Sequence, residues 1–296
     1  MSVLNNILSE RVSIPPTAAC QGCGMVLVAR HALDVLGKKT VVVIPASCGG
    51  WSGVINAVRV PTQFPSAAAS ASGAKRALMA AGIKANVLVI AGDGGTYDIG
   101  LQALSGACER REPIIWICQN NEAYMNTGIQ RSGATPKWGW TTTTPVGKLT
   151  QGKRQWQKDV PRIVEASGAA YVARASVAFI ADYKRKLQKA QRISTEEEKG
   201  LSFIELQNTC PTGWRYSPEK MVEIARLGVL SGYWPLYEVE DGKFTLNYKP
   251  KELVPYVDYQ KTQGRFSHMT KEQVDISQDR VTANWNAVLK RAELGF

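Results

Sequence analysis

Two short apolar segments, each followed by small polar residues, constrain the fold of this chain more than any other feature. The segments span residues 86–91 and 114–118, and the polar residues that follow them are Gly92, Asp93, Gly94, Gly95, Asn120 and Asn121. Short apolar runs of this kind are typical of strands at the buried centre of a parallel sheet. Because open α/β sheets bind ligands at the carboxyl edge of their strands, the two polar clusters predict a ligand site at that edge.

The first polar cluster suits an anionic ligand held through a cation. The glycines around Asp93 permit backbone angles that are closed to other residues, so the main chain can approach a ligand closely. Mg²⁺ is commonly held by few protein oxygens together with substrate phosphates. We predict that Asp93, the Asn121 side chain and the Ala123 carbonyl hold Mg²⁺ with a diphosphate. An ordinary glycine turn followed by an ordinary asparagine loop is the alternative.

Four of the six cysteines form a second pattern. Cys20 and Cys23 make a Cys-x-x-Cys pair, while Cys48 and Cys210 each follow an apolar run. Four thiolates from separated segments suit a 4Fe-4S cluster. The Cys-x-x-Cys pair by itself is equally consistent with zinc, a redox disulfide or iron and sulfur. A zinc ribbon usually supplies a second close pair, which the sequence lacks.

The other cysteines and the histidines are assigned no chemistry. Cys118 lies in an apolar strand pattern and Cys108 in a helical segment, so both are predicted to fill core space. The chain has only His31 and His268, which leaves little material for a hydrolase triad or a histidine metal site.

Alternating strand and helix patterns predict an α/β fold, with a mostly parallel sheet covered by helices on both faces. Predicted strands span residues 41–46, 87–91, 114–118, 170–174 and 202–206, and predicted helices span residues 25–36, 66–81, 99–110, 178–191 and 218–230. After residue 232 the composition becomes rich in aromatic residues, charges and prolines. We therefore expect a ligand-binding domain over residues 1–232 and an extended C-terminal arm over residues 233–296.

Taken together, the motifs resemble the β subunit of 2-oxoacid:ferredoxin oxidoreductases, closest to the pyruvate enzymes. Segments that carry the resemblance span most of the chain and are residues 92–106, 121–128, 141–148, 210–215 and 232–238. The resemblance implies the pyrophosphate-binding module of thiamine diphosphate enzymes. It also implies that the C-terminal arm reaches across a neighbouring subunit.

The resemblance implies roles for particular residues. Magnesium would be bound by Asp93, Asn121 and the Ala123 main chain, and Asn126 would face the substrate on the thiazolium of the cofactor. Residues implied to hold the 4Fe-4S cluster nearest the thiamine are Cys20, Cys23, Cys48 and Cys210. Residues implied to contact the cofactor are Cys48, Gly92, Asp93, Gly94, Gly95, Asn121, Ala123, Asn126 and Thr127.

The implied activity is oxidative decarboxylation of a 2-oxo acid, pyruvate first, with coenzyme A to give acyl-CoA and CO₂. Electrons would pass through the cluster to ferredoxin, and thiamine diphosphate would carry the chemistry. In the resembled family another chain or domain supplies the activating glutamate, so we expect activity only in a hetero-oligomer with alpha-type and ferredoxin-like subunits. Residues 49–66 depart from the pyruvate pattern, which makes an aromatic substrate such as phenylglyoxylate the alternative. A non-oxidative thiamine enzyme and a zinc-stabilised binding protein are the other classes.

The net charge of the chain and its amino-terminal sequence indicate which binding partners and which cellular compartment to expect. The chain has 36 basic and 25 acidic residues, a net charge of +11. Acidic partner subunits are the preferred explanation, followed by attraction of ferredoxin or coenzyme A phosphates, and then by nucleic acid, which we do not predict. The first residues lack a signal-peptide pattern and no run has transmembrane length. We expect a cytoplasmic protein without a membrane partner, in a compartment that favours thiolate ligands over disulfides.

Overall fold

A computed structural model describes residues 18–51 and 55–296 of the chain. The expectations for the amino-terminal segment, and those for residues 52–54 within the divergent segment 49–66, lie outside the described residues.

One sheet of eight strands organises the described part of the chain. The strands are β1 (Thr40–Pro45), β2 (Val58–Thr62), β3 (Asn86–Gly92), β4 (Ile115–Asn120), β5 (Tyr171–Ser176), β6 (Ser202–Gln207), β7 (Tyr237–Glu240) and β8 (Lys243–Leu246). Their spatial order is β2-β1-β3-β4-β6-β5-β7-β8. Strands β1 to β6 pair in parallel, and β7 and β8 add an antiparallel edge. The mostly parallel α/β fold predicted from the sequence is confirmed.

Helices cover both faces of this sheet, as the alternating pattern predicts. They are α1 (Met25–Leu36), α2 (Ala67–Ala80), α3 (Leu101–Glu109), α4 (Val160–Ala166), α5 (Ile180–Gln191), α6 (Pro211–Trp214), α7 (Met221–Leu230), α8 (Tyr256–Lys261) and α9 (Lys271–Leu294). On one face Leu88 and Ile90 of β3 pack with α1 and α5. On the other, Val87 and Val89 pack with α2 and α3. Burial on both faces explains why β3 reads as a continuous apolar run.

Residues 233–296 differ from the extended arm that their composition suggests. They form the β7–β8 hairpin, the short helix α8 and the 24-residue helix α9. The amide of Phe244 donates to the Gly295 carbonyl at 3.1 Å, and Trp234, Tyr237 and Tyr259 are buried. The aromatic residues therefore pack against their own chain. Contact of this segment with partner subunits stays a prediction.

Two further differences concern element boundaries. A π-helical segment, Gly94–Asp98, precedes α3, so the helix predicted from residue 99 begins at Leu101. The helix predicted over residues 218–230 is divided into a 3₁₀ turn, Pro218–Lys220, and α7. Both changes occur at glycine or proline positions, where an α-helical period is least reliable. In the described ranges, every helix is too short or too polar to cross a membrane.

Candidate cofactor site

The polar clusters that follow β3 and β4 meet at the carboxyl edge of the sheet. Gly92, the last residue of β3, is paired in register with Gln119 of β4. A cavity opens at this edge, and every predicted cofactor-contacting residue except Asp93 lines it. The parallel pairing therefore brings together residues that are about 30 positions apart in the sequence, as expected for ligand sites of open α/β sheets.

Residues 119–123 face two different cavities in alternation. Gln119, Asn121 and Ala123 line the cavity at the glycine cluster. Asn120 and Glu122 line a larger cavity of about 220 Å³ on the other side of this segment. The chemistry predicted from the sequence belongs to the first cavity, because only that one is lined by the glycines around Asp93 and by Cys48.

Three oxygen-bearing groups converge beside the glycine cluster. Asp93 is fully buried, and its carboxylate accepts hydrogen bonds from the main-chain N–H of Asn121 at 3.3 Å and from the Ser132 hydroxyl. With its NH₂ turned inward, the Asn121 side chain donates to Oδ1 of Asp93 and to the Ala123 carbonyl, both at 2.9 Å. Turning the amide by 180° would instead place three oxygens around one point. That donor set fits the hard-oxygen coordination that Mg²⁺ takes.

The electrostatics of Asp93 also suit a cation. Burial raises the pKa of this carboxyl from 3.8 to about 8, and the Ser132 hydrogen bond only partly opposes the rise. A carboxylate without a counter-charge is unfavourable in a buried site, and a nearby cation would restore the charged form.

Residues distant in the sequence hold the 121–123 loop in place. Trp214 donates its indole N–H to the Asn121 carbonyl at 2.8 Å. The Glu122 carboxylate accepts a hydrogen bond from the Tyr233 hydroxyl and pairs with Arg265, and both charged side chains are 2% exposed. The Arg265 guanidinium lies 4.0 Å from the Trp214 ring centroid. No local pattern pointed to these contacts, because Glu122 and Arg265 are 143 residues apart.

Gly94 is required by the close approach of Tyr124. The Tyr124 hydroxyl donates to the Gly94 carbonyl at 3.0 Å, and a Cβ added at Gly94 would overlap the Tyr124 ring. The glycine therefore lets the loop after β4 close over the loop after β3.

Replacing Gly94 by alanine should destabilise the chain by about 1–3 kcal/mol, the usual penalty for overpacking a fixed core. Gly73 in α2 is the matched control, since a Cβ there meets nothing within 4 Å. Gly73→Ala should leave stability unchanged or raise it by about 0.5–1 kcal/mol through helix propensity. Urea unfolding of both variants measures the difference. Equal stabilities would contradict the contact with Tyr124.

The four predicted cluster cysteines lie in one region of the molecule. The amide of Cys23 donates to the Cys20 carbonyl at 3.1 Å, and Cys210 Sγ accepts from the Gly213 amide at 3.4 Å. Burial raises the pKa of the Cys48 thiol to about 12, and the charges of Cys23, Cys210 and Cys20 add to that rise. This mutual influence means that the four sulfurs are close enough to interact.

These cysteines do not form a site for one metal ion. Over the described ranges, no three His, Cys, Asp or Glu side chains converge on a single ion. A 4Fe-4S cluster binds one thiolate at each iron and so spaces its ligands more widely than a zinc ion does. Cys48 also lines the cavity at the glycine cluster. Cys108 and Cys118 are fully buried in the apolar core.

Comparison with known proteins defines the class of this chain. The family model of the thiamine pyrophosphate enzyme C-terminal TPP binding domain matches residues 59–206. The match includes both polar clusters of the cavity. The chain therefore belongs to the family of proteins that carry this thiamine pyrophosphate-binding domain.

Full-length relatives narrow the family. The chain is 45% identical to ketoisovalerate oxidoreductase subunit VorB of Pyrococcus furiosus, over 99% of both chains. It is 47% identical to pyruvate synthase subunit PorB of Methanothermobacter thermautotrophicus, over 90% of this chain and 93% of that subunit. It belongs to the β-subunit family of 2-oxoacid:ferredoxin oxidoreductases, as the sequence motifs predicted.

A solved structure supports the same fold. The 2-oxoglutarate:ferredoxin oxidoreductase from Magnetococcus marinus matches with a TM-score of 0.57 at 20% sequence identity. The match covers 74% of this chain and 79% of that one.

Proposed function

We propose that this chain binds thiamine diphosphate and Mg²⁺ and acts in oxidative decarboxylation of a 2-oxo acid, with pyruvate as the first candidate substrate. Coenzyme A would accept the acyl group, and a 4Fe-4S cluster would pass the electrons to ferredoxin or a similar acceptor. One observation carries the proposal: the Asp93 carboxylate, the Asn121 side-chain amide and the Ala123 carbonyl converge beside a cavity that Cys48 also lines.

The residues at the glycine cluster would hold the diphosphate end of the cofactor. Asp93, the Asn121 amide oxygen and the Ala123 carbonyl would bind Mg²⁺, and Gly94 and Gly95 would let the main chain approach the phosphates. When bound, thiamine diphosphate supplies the nucleophilic carbon and the electron sink that decarboxylation needs. The buried ion pair of Glu122 with Arg265 keeps the Asn121 to Ala123 loop fixed while the ligand is bound.

The substrate would meet the chain at the outer part of the same cavity. Asn126 and Thr127 line the cavity and are exposed. The Asn126 amide can donate a hydrogen bond to a carboxylate or ketone oxygen. It is therefore our candidate for orienting the 2-oxo acid, and Thr127 for contacting the cofactor.

The thiolates of Cys20, Cys23, Cys48 and Cys210 would hold the cluster. Thiolates favour iron and sulfur over the hard ions that carboxylates bind. Because Cys48 belongs both to this set and to the cavity lining, electrons would have a short path from the cofactor to the cluster. That proximity supports an oxidative enzyme over a non-oxidative one.

We expect the isolated chain to be inactive and the assembled hetero-oligomer to be active. Oxidation of pyruvate would be measured by acceptor reduction in the presence of coenzyme A, with and without the alpha-type and ferredoxin-like subunits. The same assay with ketoisovalerate and phenylglyoxylate compares kcat/KM among substrates, and we expect pyruvate to be preferred by about tenfold or more, equivalent to about 1.4 kcal/mol. Decarboxylation by the chain alone would contradict the need for partners, and a preference for phenylglyoxylate would assign the aromatic alternative.

A further inference from the structure

One buried side chain of the cofactor cavity has no role in the function described so far. Gln119, the residue of β4 paired with Gly92, is 1% exposed. Neither its side-chain oxygen nor its side-chain nitrogen has a hydrogen-bond partner among the described residues. The residue lines the cavity together with Cys48 and Asn121. Buried amides are almost always hydrogen-bonded, so this exception calls for a partner that comes from outside the chain.

A second polar group without a partner lies close to the first. The Ser47 side chain is 8% exposed and its hydroxyl also lacks a partner within the described ranges. A Cβ placed on Gly49 would lie 3.4 Å from both Gln119 Nε2 and Ser47 Oγ. The two groups thus flank the same position, and both residues line the cavity.

The chemistry of the amide restricts what can satisfy it. Its NH₂ donates and its carbonyl accepts, so a single ligand group that satisfies both ends offers an acceptor and a donor side by side. Phosphate oxygens and cluster sulfurs only accept and would leave the carbonyl without a partner. The carboxylate and ketone of a 2-oxo acid have the same limitation. The aminopyrimidine ring of thiamine offers an amino group next to a ring nitrogen and so supplies both.

We propose that Gln119, assisted by Ser47, is a positioning residue that binds the aminopyrimidine edge of thiamine diphosphate. This inference rests on the proposed function, because it presupposes that thiamine diphosphate occupies the cavity. Gln119 would fix the ring that must be correctly oriented for catalysis, while the diphosphate is held separately by the Asp93 cluster. The Gln119 amide lacks a partner in the described part of the chain because its partner would be the bound cofactor.

Gln119→Leu tests the proposal through the melting temperature of the chain and the Kd for thiamine diphosphate. Loss of a purely structural residue would lower the melting temperature, whereas loss of a cofactor contact would raise the Kd without lowering the melting temperature. Removing a buried amide that has no partner should leave the melting temperature of the cofactor-free full chain unchanged or raise it. The Kd for thiamine diphosphate of the assembled complex should increase about tenfold, as expected for loss of a hydrogen-bonded pair. Gln207→Leu is the matched control. Gln207 is also 1% exposed, on the neighbouring strand, and its Nε2 lacks a partner among the residues described, but its Oε1 accepts a 2.8 Å bond from the Ser176 hydroxyl and the residue does not line the cavity. It should lower the melting temperature and leave the Kd unchanged.

A thiamine diphosphate analogue that lacks the 4-amino group of the pyrimidine identifies the contacted atoms. The wild-type complex should bind this analogue about tenfold more weakly than the cofactor, whereas Gln119→Leu should bind both within about threefold, which is the coupling expected of groups in contact. An unchanged Kd in Gln119→Leu would overturn the inference. If the Kd were unchanged and the reduction potential of the 4Fe-4S cluster shifted, the Gln119 amide would instead contact the cluster, which would also overturn the inference. Wild-type complex that binds no thiamine diphosphate would instead overturn the proposed function itself.

Discussion

Replacing Asp93 by asparagine is expected to lower the activity of the assembled enzyme by about a thousandfold. Loss of a residue that only supports a metal ligand commonly costs 10–100-fold, and loss of a direct carboxylate ligand should exceed that range. The substitution keeps the size of the side chain and its contacts with Ser132 and the Asn121 amide. The loss should therefore appear as weaker binding of Mg²⁺ and thiamine diphosphate, measured by calorimetry, rather than as misfolding.

The pH dependence of stability distinguishes weaker cofactor binding from misfolding in Asp93→Asn. The pKa of Asp93 is raised from 3.8 to about 8 by burial, so the folded chain binds its proton more tightly than the unfolded chain does. The resulting stabilisation is fully present below pH 3.8 and is lost as pH rises through about 8. Asp93→Asn should remove this dependence and leave the cofactor-free chain at least as stable as wild type at neutral pH.

Asp98→Asn provides the control for Asp93. Asp98 is the last residue of the π-helical segment that follows Asp93, pairs with Lys158 at 2.7 Å and does not line the cofactor cavity. Its replacement should alter stability slightly and leave the affinity for thiamine diphosphate unchanged. If Asp93→Asn bound the cofactor as wild type does, the magnesium assignment would be wrong.

Replacing Cys210 by serine is expected to abolish stable cluster binding and to lower acceptor reduction by about a hundredfold or more. Serine can still accept the hydrogen bond from Gly213, but it lacks the thiolate that binds iron. Cys210 does not line the cofactor cavity, so thiamine diphosphate should still bind. Iron content and visible absorption of anaerobically purified complex report the cluster, and calorimetry reports the cofactor.

Cys118→Ala is the matched control for the cluster. Cys118 is fully buried in the core beside β3 and β6. Its truncation should destabilise the chain by about 1 kcal/mol through the cavity it leaves, without loss of iron. Equal iron content in Cys210→Ser and Cys118→Ala would show that Cys210 is not a ligand of the cluster. Zinc instead of iron in the purified complex would contradict the cluster proposal and favour a zinc site.

Most of the central sheet could be read from the sequence because its signals are local. Strand β3 is apolar from Val87 to Ala91, β6 carries the apolar residues Phe203, Ile204 and Leu206, and helices such as α1 and α5 have amphipathic periods. The strand β2 and the helix α4 were missed. In β2 only part of each side chain is buried, and α4 is seven residues long, so neither gives a strong periodic signal.

The candidate site divides in the same way. Its chemistry follows from residue type: glycines beside an aspartate, two asparagines after the next strand, and cysteines in separated segments. The contacts that hold the site in place cannot be inferred from residue type, because Trp214, Tyr233 and Arg265 reach the loop after β4 from far along the chain. The missing partners of Gln119 are equally invisible in a sequence, where a glutamine reads as an ordinary polar residue.

The sequence by itself determined the fold class, the family and the residue types available for binding a cofactor, since each depends on patterns within a few tens of residues. Only the tertiary structure decided that residues 233–296 pack back on the sheet, that Arg265 neutralises Glu122, and that the Gln119 amide is buried beside the cofactor cavity without a partner. Those facts depend on burial and on contacts between distant segments, which exist only when the chain is folded.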